Sequence, residues 1–70
     1  MKVYCVNGPC KGEVVQMPDN TVDMGIHKTH IPNVRTIVCT RHVYKISARV
    51  NENGESLAFH ESSQPEGYYV

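Results

Sequence analysis

Tryptophan is absent from this 70-residue chain and phenylalanine occurs once. Four tyrosines are the remaining aromatics, so the core has to rest mainly on Val and Ile. In a chain this short a single core rarely supplies more than about 3–5 kcal/mol of net stability, and a metal, a disulfide or self-association is a natural supplement. An excess of either charge is missing as well, because seven Lys and Arg balance seven Asp and Glu. A neutral chain has no field with which to gather a polyanion, which argues against an electrostatically driven nucleic-acid binder. No segment approaches the ~20 apolar residues of a transmembrane helix, and the N-terminus carries no secretory hydrophobic region. These lacks predict one small domain over residues 1–70, cytoplasmic and without membrane contact. The three cysteines then read as thiols or ligands before disulfides, since such a compartment is reducing and the count is odd.

Helix signals are also scarce, and what is present favours strands. The run Val34 to Val50 is dense in Val, Ile, Thr and Tyr, residues that fit a pleated surface. Its second half alternates, with Tyr44, Ile46, Ala48 and Val50 on one face and Lys45, Ser47 and Arg49 on the other. Fully extended it would reach roughly 55 Å, too far for so small a domain. It is therefore expected to break near Thr40-Arg41-His42 or to curve strongly. Asn53-Gly54 is the best hairpin signal, with Ser56 to Glu61 returning as a strand. Met1 to Val6 and Gly12 to Met17 read as a first and second strand joined by a turn rich in Gly, Pro and Asn. Residues 19–33 show no period and read as a connection with room for one short strand. The C-terminal segment reads as a loop that closes with Tyr68-Tyr69-Val70 as an edge strand. Five or six short strands without a helix predict an all-β fold, a small antiparallel SH3-like barrel, because closure removes edges that such a sheet cannot otherwise cover.

The stretch Asn7-Gly8-Pro9-x-x-Gly12-x-x-Val15-x-x-Pro18-Asp19 resembles an N-terminal element of small bacteriophage-encoded proteins, in which a Tyr-bearing strand and a Gly hairpin follow, here Tyr44 and Gly54. The Gly turn running into Val14-Val15 also resembles the KOW-type element of SH3-like barrels. The resemblance covers about a quarter of the chain. It implies a small barrel acting as a phage accessory or host-directed protein, and it transfers no catalytic residue.

Four residue sets could carry chemistry. Cys5, Cys10, Cys39 and His42 offer thiolate and imidazole ligands of the kind zinc takes, although the spacing is wider than in compact zinc knuckles. His27 and His30, with Cys39 or His42, form a second candidate metal set, without a nearby carboxylate to orient the rings. Cys5 and Cys10 are close enough across a turn for a disulfide, which a reducing cytosol disfavours. Cys39 and His42, three apart on a strand, point to opposite faces and cannot act as a nucleophile and base. Ordinary thiols and solvated histidines explain these residues more simply, so no cofactor is expected.

A basic stripe of Arg35, Arg41, Lys45 and Arg49 near Tyr44 would suit nucleic acid, but its plainer reading is a solvated strand face. Tyr4, Tyr68 and Tyr69 suit a protein contact, where tyrosine concentrates. The sequence reading is a non-enzymatic β-barrel protein that binds a host or viral protein, or copies of itself as a homo-oligomer. Its interface would use Tyr4, Arg41, Tyr44, Lys45, Arg49, Tyr68 and Tyr69. The alternatives are a zinc-stabilised or basic-faced nucleic-acid module and a virion structural component.

Overall fold

Two left-handed glycines shape the N-terminal turn. Gly8 and Gly12 adopt φ of 74° and 89°, a region open to glycine at no steric cost. The chain between them folds back so that Gly12 N–H donates to Cys5 C=O at 2.9 Å and Cys5 N–H donates to Glu13 C=O at 2.9 Å. This turn joins β1 (Lys2–Cys5) to β2 (Val14–Gln16) as an antiparallel pair with Val3 opposite Val15. The structure, a computed structural model, describes residues 1–69, with side chains described through Pro65.

Three longer strands complete the protein: β3 (Asp23–Asn33), β4 (Thr36–Val50) and β5 (Ser56–Tyr69). The spatial order is β2-β1-β5-β4-β3, and no helix occurs among the described residues. The five-stranded sheet curls into a half-barrel, so the all-β, barrel-like reading holds. It is mixed rather than wholly antiparallel, because β1 runs parallel to β5 with Tyr4 opposite Leu57. The β4–β5 turn is set by Asn51, whose Oδ1 accepts from Asn53 N–H at 3.0 Å and from Glu55 N–H at 2.9 Å. Gly54 N–H donates to Asn51 C=O at 3.0 Å. Gly54 takes a φ of 78° while Asn53 stays at negative φ, so the loop is a longer turn ending in a left-handed glycine and not a two-residue Asn-Gly turn.

The long apolar run does not break. It forms β4 as one strand, and the length problem is solved by register shifts against β5 at Cys39/Thr40, Val43/Tyr44 and Ile46/Val50. Each bulge bends the strand and tightens its twist. Two further expectations are corrected. Residues 23–33 are a full strand, not a connection, and the C-terminal segment continues β5 to Tyr69 instead of starting as a loop.

The core is small and sits at one end. Val3, Cys5, Cys10, Met24, Tyr44 and Ala58 are buried, and Met1, Val15, Met17, Ile26 and Ile46 pack around them. Beyond Ile26 and Tyr44 the strands β3, β4 and β5 run on together as a three-stranded arm. The overall extents are 43 × 19 × 17 Å, with a radius of gyration of 13.7 Å, against about 11 Å for a compact chain of this length. Val34 at the arm's tip is 98% exposed, and Arg35 N–H is held there by Asn33 Oδ1 at 2.9 Å.

Candidate functional site

The site begins with a buried phenol. Tyr44 lies on the concave face of β4 with no solvent exposure, where Met24 opposes it from β3 and His60 from β5. Its hydroxyl accepts from Cys10 N–H at 2.8 Å and donates to Asn7 C=O at 2.7 Å. A buried polar tip has to be satisfied in this way. The phenol thereby ties the β1–β2 turn to β4. Asn7 extends the link, because its Oδ1 accepts from His60 N–H at 2.8 Å. The Tyr44 and His60 rings pack with centroids 5.4 Å apart.

A second cluster adjoins it. Ser63 Oγ lies 2.7 Å from His42 Nδ1 and 2.9 Å from His60 Nε2, and the two rings meet edge to face at 6.2 Å. The register explains how His60 and Ser63, three residues apart, come together. His42 opposes Ser63, Val43 opposes Ser62, and Tyr44 opposes His60. Glu61 is the extra residue of the bulge, and its insertion restores both side chains to one face. In a regular strand they would point apart.

Cys5 and Cys10 lie in the core as free, buried thiols, and Cys39 is a half-buried free thiol on β4. Among the described residues no group of three or more His, Cys, Asp or Glu converges to hold a metal. The set Cys5, Cys10, Cys39 and His42 is therefore not brought together, since β4 carries Cys39 and His42 on opposite faces while His42 faces Ser63. His27 and His30 stand apart from each other too, on opposite faces of β3 and exposed.

Burial pushes the Cys5 and Cys10 thiols up, aided by Glu13 nearby, and pushes the Tyr44 phenol up as well. Only part of each rise has a counterweight, from Lys28 for Cys5, from the Tyr44 hydroxyl and then Lys28 for Cys10, and from the Cys10 N–H for the phenol. Thiolates are the reactive form, so native protein is expected to label rapidly at Cys39 alone. Cys5 and Cys10 should react with a thiol reagent only after unfolding. Fast labelling of all three in native buffer would contradict this burial. The same shifts set a pH dependence. A thiol raised on folding binds its proton more tightly in the native than in the unfolded chain. Stability is therefore fully present below the unfolded thiol value of about 8.5 and falls as pH rises above it. Urea midpoints should be flat from pH 7 to about 8 and decline beyond.

The residues expected at an interface fall into separate places. Tyr44 is corrected from interface to core, because its ring fills the barrel and its hydroxyl is doubly bonded inside. Tyr4 is half-buried on β1, opposite Val14 and Leu57. Lys45 is exposed on the convex face beside Asp23, and Arg49 is exposed near the end of β4. Arg41 lies across Gly25, where an added Cβ would stand 2.6 Å from its Nε. Arg35 is exposed at the arm's tip. The side chains of Tyr68 and Tyr69 lie outside those described, although their backbones pair with Val38 and Ile37. Sequence reasoning missed Ser63 and His60, and the one available signal was a Ser within reach of two histidines.

An open groove is lined by Met1, Thr21, Val22, Ile46, Ala48 and Ser56, with no acidic, basic or thiol side chain on its wall. Across the mouth of the half-barrel, Lys28 Nζ reaches Glu13 Oε2 at 2.8 Å and spans the seam between β3 and the β1–β2 turn. No helix of the described residues is long and apolar enough to cross a membrane. No family model matches the chain, and it matches neither a curated protein nor a solved structure.

Proposed function

We propose that the protein is a non-enzymatic binding protein that docks on another protein through its β3–β4–β5 arm. The observation that carries this reading is the arm itself. It extends past the core, so its strands gain little from burial within one chain. It nevertheless displays Ile31 at 65%, Val34 at 98% and Ile37 at 38% exposure. Apolar groups gathered on a projecting element mark an interaction surface. Along its length β3 is the edge of the sheet, and an edge presents unpaired backbone groups to which a partner strand can add. The resemblance of the Asn7–Asp19 stretch adds the setting: a phage accessory protein in the bacterial cytoplasm, with a host or viral protein as the target.

The test is affinity capture from bacterial lysate with the wild-type chain, an Ile31→Asp/Val34→Asp variant and an Arg49→Ala variant. The arm variant should keep the wild-type melting temperature, because neither residue touches the core, and should lose at least nine-tenths of any captured protein, as charge in an apolar contact costs several kcal/mol. Arg49→Ala should capture as well as wild type. A partner held equally by all three chains sinks the arm reading. Retention on a DNA column that vanishes on Arg41→Ala/Lys45→Ala/Arg49→Ala would replace it with nucleic-acid binding.

A further inference from the structure

We infer that His42 and His60 form an exchangeable binding site for a borderline divalent cation, of the zinc and nickel class, at the base of the arm. The two ring nitrogens already converge on one point, since Ser63 Oγ is 2.7 Å from His42 Nδ1 and 2.9 Å from His60 Nε2. One hydroxyl carries one proton. It donates to one imidazole and accepts an N–H from the other, so a hydroxyl holds the place where two nitrogen lone pairs can meet. When Ser63 rotates aside, an ion at that point bonds both nitrogens at about 2.0–2.1 Å after each ring moves inward by less than about 1 Å. Both rings then carry their proton on the nitrogen away from the ion. Waters complete the shell. Imidazole suits zinc and nickel, and two protein ligands leave open positions, which makes the site exchangeable instead of structural.

The supports for such a site are present. His60 is fixed from three sides: its N–H is bound by Asn7 Oδ1, its ring packs on Tyr44, and Gly8 lies so close that an added Cβ would stand 2.5 Å from His60 Cβ. Orientation of a ligating imidazole by its surroundings raises metal affinity. His42 is half-buried and faces Ile26 on β3, which brings no competing charge. The next pair along that face is Lys28 and Thr40, and the Lys28 ammonium is neutralised by Glu13 at 2.8 Å. Ser63 is exposed, so an ion has a path in. The Glu61 bulge is what assembles the pair, and bulges are placed where a strand has to re-aim a side chain.

Bound there, the ion would clip β4 to β5 where the arm leaves the barrel. The test uses the full chain in a Cys39→Ser background, to remove the accessible thiol, with Ni2+ titrated calorimetrically at pH 7.5. One equivalent should bind. Both His42→Ala and His60→Ala should weaken it at least tenfold, while His27→Ala/His30→Ala should change it less than twofold. Ser63→Ala should bind at least as well as wild type, because the hydroxyl is displaced and not a required ligand. Binding that survives loss of both His42 and His60, that disappears with His27 and His30, or that is absent altogether overturns the proposal. Should His60→Ala disturb the fold, the unaltered rings decide: added Zn2+ should shift the imidazole nitrogen resonances of His42 and His60 together, and a shift confined to other histidines refutes the site. Affinity should also fall as pH falls, since the ion competes with protons for both rings.

Discussion

Replacing Tyr44 with Phe is expected to lower stability by about 2 kcal/mol, within the range for leaving a buried donor unmade. The ring would still fill the barrel, so the loss isolates the hydroxyl. Without it the N–H of Cys10, a residue with no solvent exposure, loses its acceptor at 2.8 Å, and Asn7 C=O loses its donor at 2.7 Å. In a domain of this size the change should lower the melting temperature by roughly 8–16 °C. Tyr44→Ala removes the ring as well and should cost about 3–5 kcal/mol, comparable with everything a core this small provides, so that chain should be largely unfolded at 25 °C. Thermal melts followed by far-ultraviolet circular dichroism measure both. A Phe variant that melts with wild type would show that the phenol's two bonds contribute nothing.

Gly8→Ala should be nearly as damaging, and for a backbone reason. Gly8 holds a φ of 74°, which costs a non-glycine residue about 1–3 kcal/mol. Its new Cβ would also stand 2.5 Å and 2.6 Å from His60 Cβ and Cγ and 2.9 Å from the Tyr44 hydroxyl. His60 Cβ is rooted in β5, so the relief is a shift of the turn or the strand, not a rotamer change, and overpacking of this kind adds about 1–3 kcal/mol. Gly12→Ala is the control. It shares the left-handed backbone at φ 89° but meets nothing within 4 Å, so it should cost only the torsional part, about 1–3 kcal/mol. The difference between the two urea midpoints measures the close approach of turn and strand. Equal midpoints would mean that Gly8 is needed for its torsion alone.

Some of this was readable in the residues and some was not, and burial separates the two. The Asn7–Gly12 turn and the Asn53-Gly54 hairpin announce themselves because their chemistry is local. The alternation at Tyr44 and Ile46 is visible because one side of β4 there faces the core. Strand β3 gives no such sign beyond Ile26, since residues 27–33 are exposed on both faces and period-two patterning records burial on one. Ser63, Gln64 and Pro65 of β5 are silent for the same reason, being exposed in succession. Alternation likewise cannot report a bulge. The rule that separates residues three apart on a strand was right for Cys39 and His42 and wrong for His60 and Ser63, and Glu61 is the difference. Tyr44 illustrates another limit, because tyrosine suits an interface and a core equally well until the partners of its hydroxyl are known.

The parallel ladder between β1 and β5 sets when the protein can fold. Val3, Tyr4 and Cys5 pair with Ser56, Leu57 and Ala58, so the first strand made waits for the last. The β3–β4 hairpin can form while synthesis is under way, because its strands are joined by Val34 and Arg35 alone. The core cannot, since Val3 and Cys5 are covered only when Ala58 arrives. Contacts of such long separation make folding slow. On the ribosome the chain therefore forms the β3–β4 hairpin first and encloses Cys5 and Cys10 last, and nascent chains halted before Ser56 would display that hairpin with neither β5 nor a barrel behind it.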